Sequence, residues 1–117
     1  MNSANGIPFE WMLAIFRDDI AVDETTFRFT SDPPDEERFL GCLPGGPLPD
    51  TPYWAGYCDL PEGFCTATAR ELFDAPYYSG KSLKQRWGEV EVLTIGQIPV
   101  EDYLSWHQDD YPLDAYR

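Results

Sequence analysis

The sequence predicts an α+β fold, a small single globular domain over residues 1–117 in which two to four short helices pack against a mainly antiparallel sheet. Hydrophobic residues make up 43% of the chain and aromatic residues 15%, which is enough apolar material for a buried core. Candidate strands cluster in the first half of the chain and recur near residue 90, with short capped helices around them. At 117 residues the chain has the length of one domain.

The first candidate element is the apolar segment at residues 9–17, which follows a polar stretch, residues 1–6, that we expect to be frayed. Its periodicity fits both a helix and a strand buried on two faces, and its Met, Leu and Ala residues favour the helix. In a helix, Pro8 would take the first helical position, and one face would be lined by Glu10, Ala14, Arg17 and Asp18.

Two strands and two loops are predicted next. Residues 25–30 (TTFRFT) alternate as a strand does, and residues 38–43 are a second strand candidate. The acidic, proline-containing residues 31–37 predict the loop between them. A loop rich in Pro and Gly follows at residues 44–52, before an aromatic strand candidate at residues 53–58.

Two capping patterns punctuate the next part of the chain. Residues 68–71 (TARE) fit a capping box, which predicts a helix of about two turns that ends before Pro76. Residues 82–85 (SLKQ) repeat the pattern and predict a second short helix through Trp87, ended by Gly88.

The last elements are a strand and a helix. Residues 89–95 (EVEVLTI) give the clearest strand pattern in the chain. Pro99 begins a final helix, whose packed face would include Val100 and Tyr103. The tail at residues 109–117 is acidic and aromatic.

The charge balance indicates which classes of molecule the protein can bind. The chain has 21 Asp and Glu residues against 8 Lys and Arg residues, a formal net charge of −13. Such a surface repels phosphates, so we expect no binding to nucleic acid, and it attracts basic proteins. Acidity that only confers solubility is the competing interpretation.

The residues available for chemistry are few. His107 is the only histidine, which excludes sites that need two. Cys42, Cys58 and Cys65 are expected to be reduced small hydrophobes, with a Cys58–Cys65 bridge or a zinc site as less favoured alternatives. No motif for a nucleophile, a phosphate loop or a calcium loop is present. We therefore expect no catalytic residues, no cofactor and no metal, and hence no enzyme.

Aromatic side chains beside carboxylates are the candidate binding residues. Tyr and Trp supply buried area at an interface, while carboxylates select a basic partner. Three stretches of the chain combine the two or carry several acids. The predicted partner-binding residues are Asp59, Glu62, Asp74, Tyr77, Tyr78, Asp109, Asp110 and Tyr111.

A pattern of scaffold residues spans residues 53–106. It consists of Thr68-Ala69 leading into Glu71-Leu72, then Gly80-Lys81-Ser82-Leu83 with Arg86-Trp87, and a strand followed by Val100-Glu101-Asp102. In this pattern the segment resembles small immunity proteins of bacterial toxin systems, notably those of contact-dependent growth inhibition. No binding residues follow from the resemblance, because such families vary at their interfaces.

The resemblance implies a cytosolic, monomeric immunity protein that binds a cognate toxin domain and blocks its active site or substrate surface. Many of those toxins are basic nucleases, which matches the acidity of this chain. The polar start of the sequence also carries no secretion signal or membrane span, so we expect a cytoplasmic location without membrane contact. The alternatives are an acidic nucleic-acid mimic that inhibits a DNA-binding enzyme and, ranked last, a small enzyme.

Overall fold

A six-stranded antiparallel sheet is the centre of the computed structural model, which describes residues 1–56 and 63–117. The strand order is β4-β3-β2-β1-β5-β6, so the predicted α+β class is confirmed. The strands are β1 (Thr25–Phe29), β2 (Arg38–Cys42), β3 (Tyr53–Ala55), β4 (Phe64–Thr66), β5 (Val90–Ile95) and β6 (Ile98–Pro99).

The pairing of β1 with β5 joins the two halves of the chain. Phe27 lies opposite Val92 and Phe29 opposite Val90, so large apolar side chains share one face of the sheet. Their burial follows from the alternation in both sequences, because every second residue of a strand points to the same face. Both strands were predicted at these positions.

The described α-helices are short. They are α1 (Phe9–Arg17), α2 (Ala69–Asp74) and α3 (Val100–Trp106), and the predictions of helices at all three places are confirmed. Pro8 precedes α1 as its N-cap, one position earlier than predicted. Within residues 1–56 and 63–117, no helix has the length and apolar character needed to cross a membrane.

Helix α1 is buried on almost every side. Ala14 lies on the predicted helical face with Glu10 and Arg17, but it is only 3% exposed. The helix contacts α2 and the C-terminal 3₁₀ helix (Leu113–Tyr116), and its rings pack into the core. Phe9, for example, meets Phe73 edge-to-face with 5.6 Å between ring centroids. Of its nine residues, only Glu10 and Arg17 are exposed.

The prediction that residues 1–6 are frayed is also wrong. The backbone N–H of Ala4 donates to the carbonyl of Val90 at 2.7 Å, and the Asn5 amide donates to the carbonyl of Val92 at 2.8 Å. Strand β6 pairs only with the end of β5, at Thr94 and Ile95, so the start of β5 has an open edge. The N-terminal segment supplies the missing hydrogen bonds there.

The two capping patterns have different outcomes. The Thr68 hydroxyl accepts from the N–H of Glu71 at 3.1 Å and caps α2 as predicted. Ser82 and Gln85 also make both bonds of a capping box, at 2.9 and 3.1 Å. The α-helix predicted there is wrong, because turns and a 3₁₀ helix (Trp87–Glu89) follow, and they include Gly88. Strand β5 begins directly after this 3₁₀ helix, which leaves no room for longer helix growth.

Candidate partner-binding surface

The predicted binding residues of the middle stretch do not form one surface. Asp74 is exposed at the end of α2, and Tyr77 is half-buried. Tyr78 is only 4% exposed, and its ring packs edge-to-face on Phe29 at 5.4 Å. Tyr78 is therefore a core residue, which corrects its prediction as a binding residue. The predictions for Asp59 and Glu62, and the last two residues of the strand predicted at residues 53–58, lie outside the described residues. Strand β3 (Tyr53–Ala55) confirms the first part of that predicted strand.

Of the predicted residues of the tail, Tyr111 contacts α1 and the residue that follows it. The Trp11 indole N–H donates to the carbonyl of Tyr111 at 2.8 Å, and the Tyr111 hydroxyl donates to a carboxylate oxygen of Asp18 at 2.7 Å. These bonds join positions about a hundred residues apart. They fix the tail in place and leave Asp109 and Asp110 exposed beside α3.

The hydrogen bond between Tyr111 and Asp18 shifts the pKa values of both groups. The carboxylate accepts from the hydroxyl, which lowers the pKa of Asp18, and contact with Arg17 lowers it further. The same bond raises the pKa of Tyr111 to about 12. At neutral pH the pair is thus a neutral phenol on an ionised carboxylate, and the negative charge stays at this corner.

His107 follows α3 directly and contacts both that helix and the tail. Its ring stacks on Tyr103 with 4.4 Å between centroids, and its Nδ1 lies 3.2 Å from Asp110. Tyr103 is buried and donates its hydroxyl to the carbonyl of Ile20. Burial, with the nearby charge of Asp110, raises the pKa of Tyr103, so it remains a neutral donor. These contacts are those of a structural histidine.

Trp106 is the residue that the sequence-based choice of binding residues missed. Its exposed fraction is 66%, whereas Trp11, Trp54 and Trp87 are buried. Helical spacing carried a signal for this difference, because the packed positions of α3 include Val100 and Tyr103, and Trp106 falls outside their stripe.

Carboxylates surround this tryptophan in sequence and in the helix. Asp102 lies one turn before Trp106, so their side chains share a face. Among the described residues, Glu101, Asp102 and Asp109 make no ion pair. We call the exposed set formed by Glu101, Asp102, Trp106, Asp109 and Asp110 the α3 surface. It combines one large aromatic side chain with acids that form no ion pair with Lys or Arg among the described residues.

The two described cysteines differ in burial. Cys42 is buried and free, and burial raises the pKa of its thiol to about 11, so the thiolate is scarce at neutral pH. Cys65 is also free and half-buried. In residues 1–56 and 63–117, no three His, Cys, Asp or Glu side chains are grouped to hold a metal ion.

Comparisons of the chain with protein-family models, with curated proteins and with solved structures gave no match. The resemblance of residues 53–106 to immunity proteins stays a prediction.

Proposed function

We propose that this chain is a non-catalytic, cytoplasmic immunity protein that binds and neutralises a cognate toxin domain with a basic surface, of the nuclease kind. The observation that supports the proposal is the exposure of Trp106 near carboxylates that form no ion pair with Lys or Arg among the described residues. Tryptophan is among the residues that contribute most to binding when an interface covers it.

The net charge supports the same partner. With −13 on 117 residues, the chain attracts a basic surface over a distance of about one screening length, roughly 8 Å at physiological salt. Such attraction accelerates encounter, while a buried aromatic side chain slows dissociation. A nucleic-acid-binding groove on a toxin is basic for its own substrate, so an acidic protein seated there excludes that substrate.

The experiment is co-expression and co-purification with the product of the adjacent open reading frame, followed by measurement of Kd at two salt concentrations. We expect a one-to-one complex whose association rate falls as salt rises. Trp106→Ala should weaken binding by about 2 kcal/mol or more, roughly 30-fold in Kd. Reversing the charges of Asp102 and Asp109 to Lys should weaken it at least as much.

The matched control reverses two carboxylates of the exposed acidic loop, Asp35 and Glu37, which changes the net charge equally. This control should slow association and leave dissociation almost unchanged. Equal losses of affinity from both double reversals would refute the α3 surface as the binding site. The absence of binding to any adjacent gene product at low salt would refute the immunity function, and capture of a DNA-binding enzyme instead would favour the nucleic-acid mimic.

A further inference from the structure

A groove runs between α3 and the C-terminal 3₁₀ helix, next to the α3 surface. Its volume is about 300 Å³. The walls are apolar where Leu104, Pro112 and Leu113 line them and polar where Ser105, Gln108 and Asp114 do. Apolar side chains beside a carboxylate match an arginine side chain, which has an aliphatic stem and a planar cationic head.

One arginine of the chain already lies at this groove. Arg117 lines the groove, and its guanidinium Nη1 lies 2.9 Å from the Asp114 carboxylate. The side chain of Asp114 is 89% exposed and that of Arg117 is 50% exposed. An ion pair this exposed to solvent holds its partners weakly, so another guanidinium can replace that of Arg117 at little cost.

The groove has a fixed wall. The 3₁₀ helix that carries Asp114 is held by the bond from the Trp11 indole to the carbonyl of Tyr111, at 2.8 Å. Leu113 and Tyr116 are partly buried against the core. A preformed site of this kind binds without a large ordering cost.

We propose that this groove binds one arginine side chain of the basic partner, and that Arg117 occupies the Asp114 carboxylate until the partner arrives. The inference rests on the proposed function for the identity of the partner. It adds a specific anchor to the general attraction of the acidic surface, and it makes Arg117 an internal competitor.

The test titrates the full chain with acetyl-tetraarginine amide and follows backbone amide NMR shifts. We expect the largest shifts at Ser105, Gln108 and Leu113. Asp114→Asn should weaken binding of the peptide at least fivefold, and Arg117→Ala should tighten it at least threefold. The matched control, Asp35→Asn, removes one exposed carboxylate elsewhere and should change Kd less than twofold.

Two results would overturn the inference: shifts spread over the acidic surface with none in the groove, or equal effects of Asp114→Asn and Asp35→Asn. Once the partner is identified, its affinity for the same variants distinguishes failure of this inference from failure of the proposed function. A partner that binds Asp114→Asn and Arg117→Ala as tightly as the wild type refutes the arginine site alone. Failure to find any basic partner, with the peptide bound as expected, refutes the proposed function and leaves the groove as an arginine site.

Discussion

Trp54 and Trp11 differ in one respect that a stability measurement can isolate. Both side chains are buried, at 8% and 0% exposure. The Trp11 indole N–H donates to the carbonyl of Tyr111 at 2.8 Å, whereas the Trp54 indole N–H is buried without an acceptor among the described residues. Replacing each with Phe removes the same part of the ring, so the two substitutions share the loss of packing and differ in hydrogen bonding.

The difference can be estimated from the cost of an unpaired buried polar group, which is about 1–3 kcal/mol. Trp11→Phe leaves the carbonyl of Tyr111 without its donor and adds that cost. Trp54→Phe removes an unpaired donor and recovers a similar amount. Trp11→Phe should therefore destabilise the protein more than Trp54→Phe, by at least about 2 kcal/mol in the free energy of unfolding.

The assay is urea unfolding followed by far-UV circular dichroism, because the substitutions change tryptophan fluorescence directly. The slope of the unfolding free energy against urea concentration must be the same for both variants, so that a shift in the unfolding midpoint measures a change in stability. A Trp54→Phe variant destabilised as much as Trp11→Phe would refute this account of the two indole groups, since shared packing losses would then dominate.

Three further substitutions and one control substitution test single features of the fold by the same assay. Thr68→Ala removes the cap of α2 and should cost about 1 kcal/mol. Gly96→Ala places a methyl group on a backbone carbonyl at φ +57° and should cost more than about 2 kcal/mol, while Gly45→Ala, which meets nothing within 4 Å, should cost well under about 1 kcal/mol. The hydrogen bond from Arg38 lowers the pKa of Asp32, so the stability contributed by Asp32 is complete above pH 3.8 and is lost as the pH falls through the lowered pKa. Asp32→Asn should cost about 1 kcal/mol at pH 7, and its difference from the wild type should shrink in that acid range.

Local signals in the sequence predicted most of the elements, because each element is short and has capping or turn residues at its ends. The box at Thr68 begins α2, and Pro99 precedes α3. The equal signal at Ser82 failed as a predictor of helix type. Its two hydrogen bonds form, but Trp87 donates its indole N–H to the carbonyl of Ile7 at 2.7 Å, and this tertiary contact holds the chain in a 3₁₀ turn before β5.

Long-range contacts explain what the sequence did not predict. The order of Asn5 depends on the open edge of β5, which is 87 residues away in the sequence. The burial of Tyr78 depends on the ring of Phe29, and no local pattern distinguishes it from its half-buried neighbour Tyr77. The sequence identified the tail as acidic and aromatic, but its attachment through Asp18 and the packing of Tyr116 against the core are visible only in three dimensions.

The ion pairs show where on the protein the net charge of −13 is neutralised and where it is not. Five of the eight Lys and Arg side chains pair with described carboxylates, and Arg28 and Arg38 do so on the sheet. These pairs neutralise acids on the body of the fold. In the described part of the chain the α3 surface forms no ion pair with Lys or Arg, and Asp110 has the His107 ring 3.2 Å away. Because acidity alone can serve solubility, the proposal of a partner depends on Trp106 being covered as well as on the charge around it.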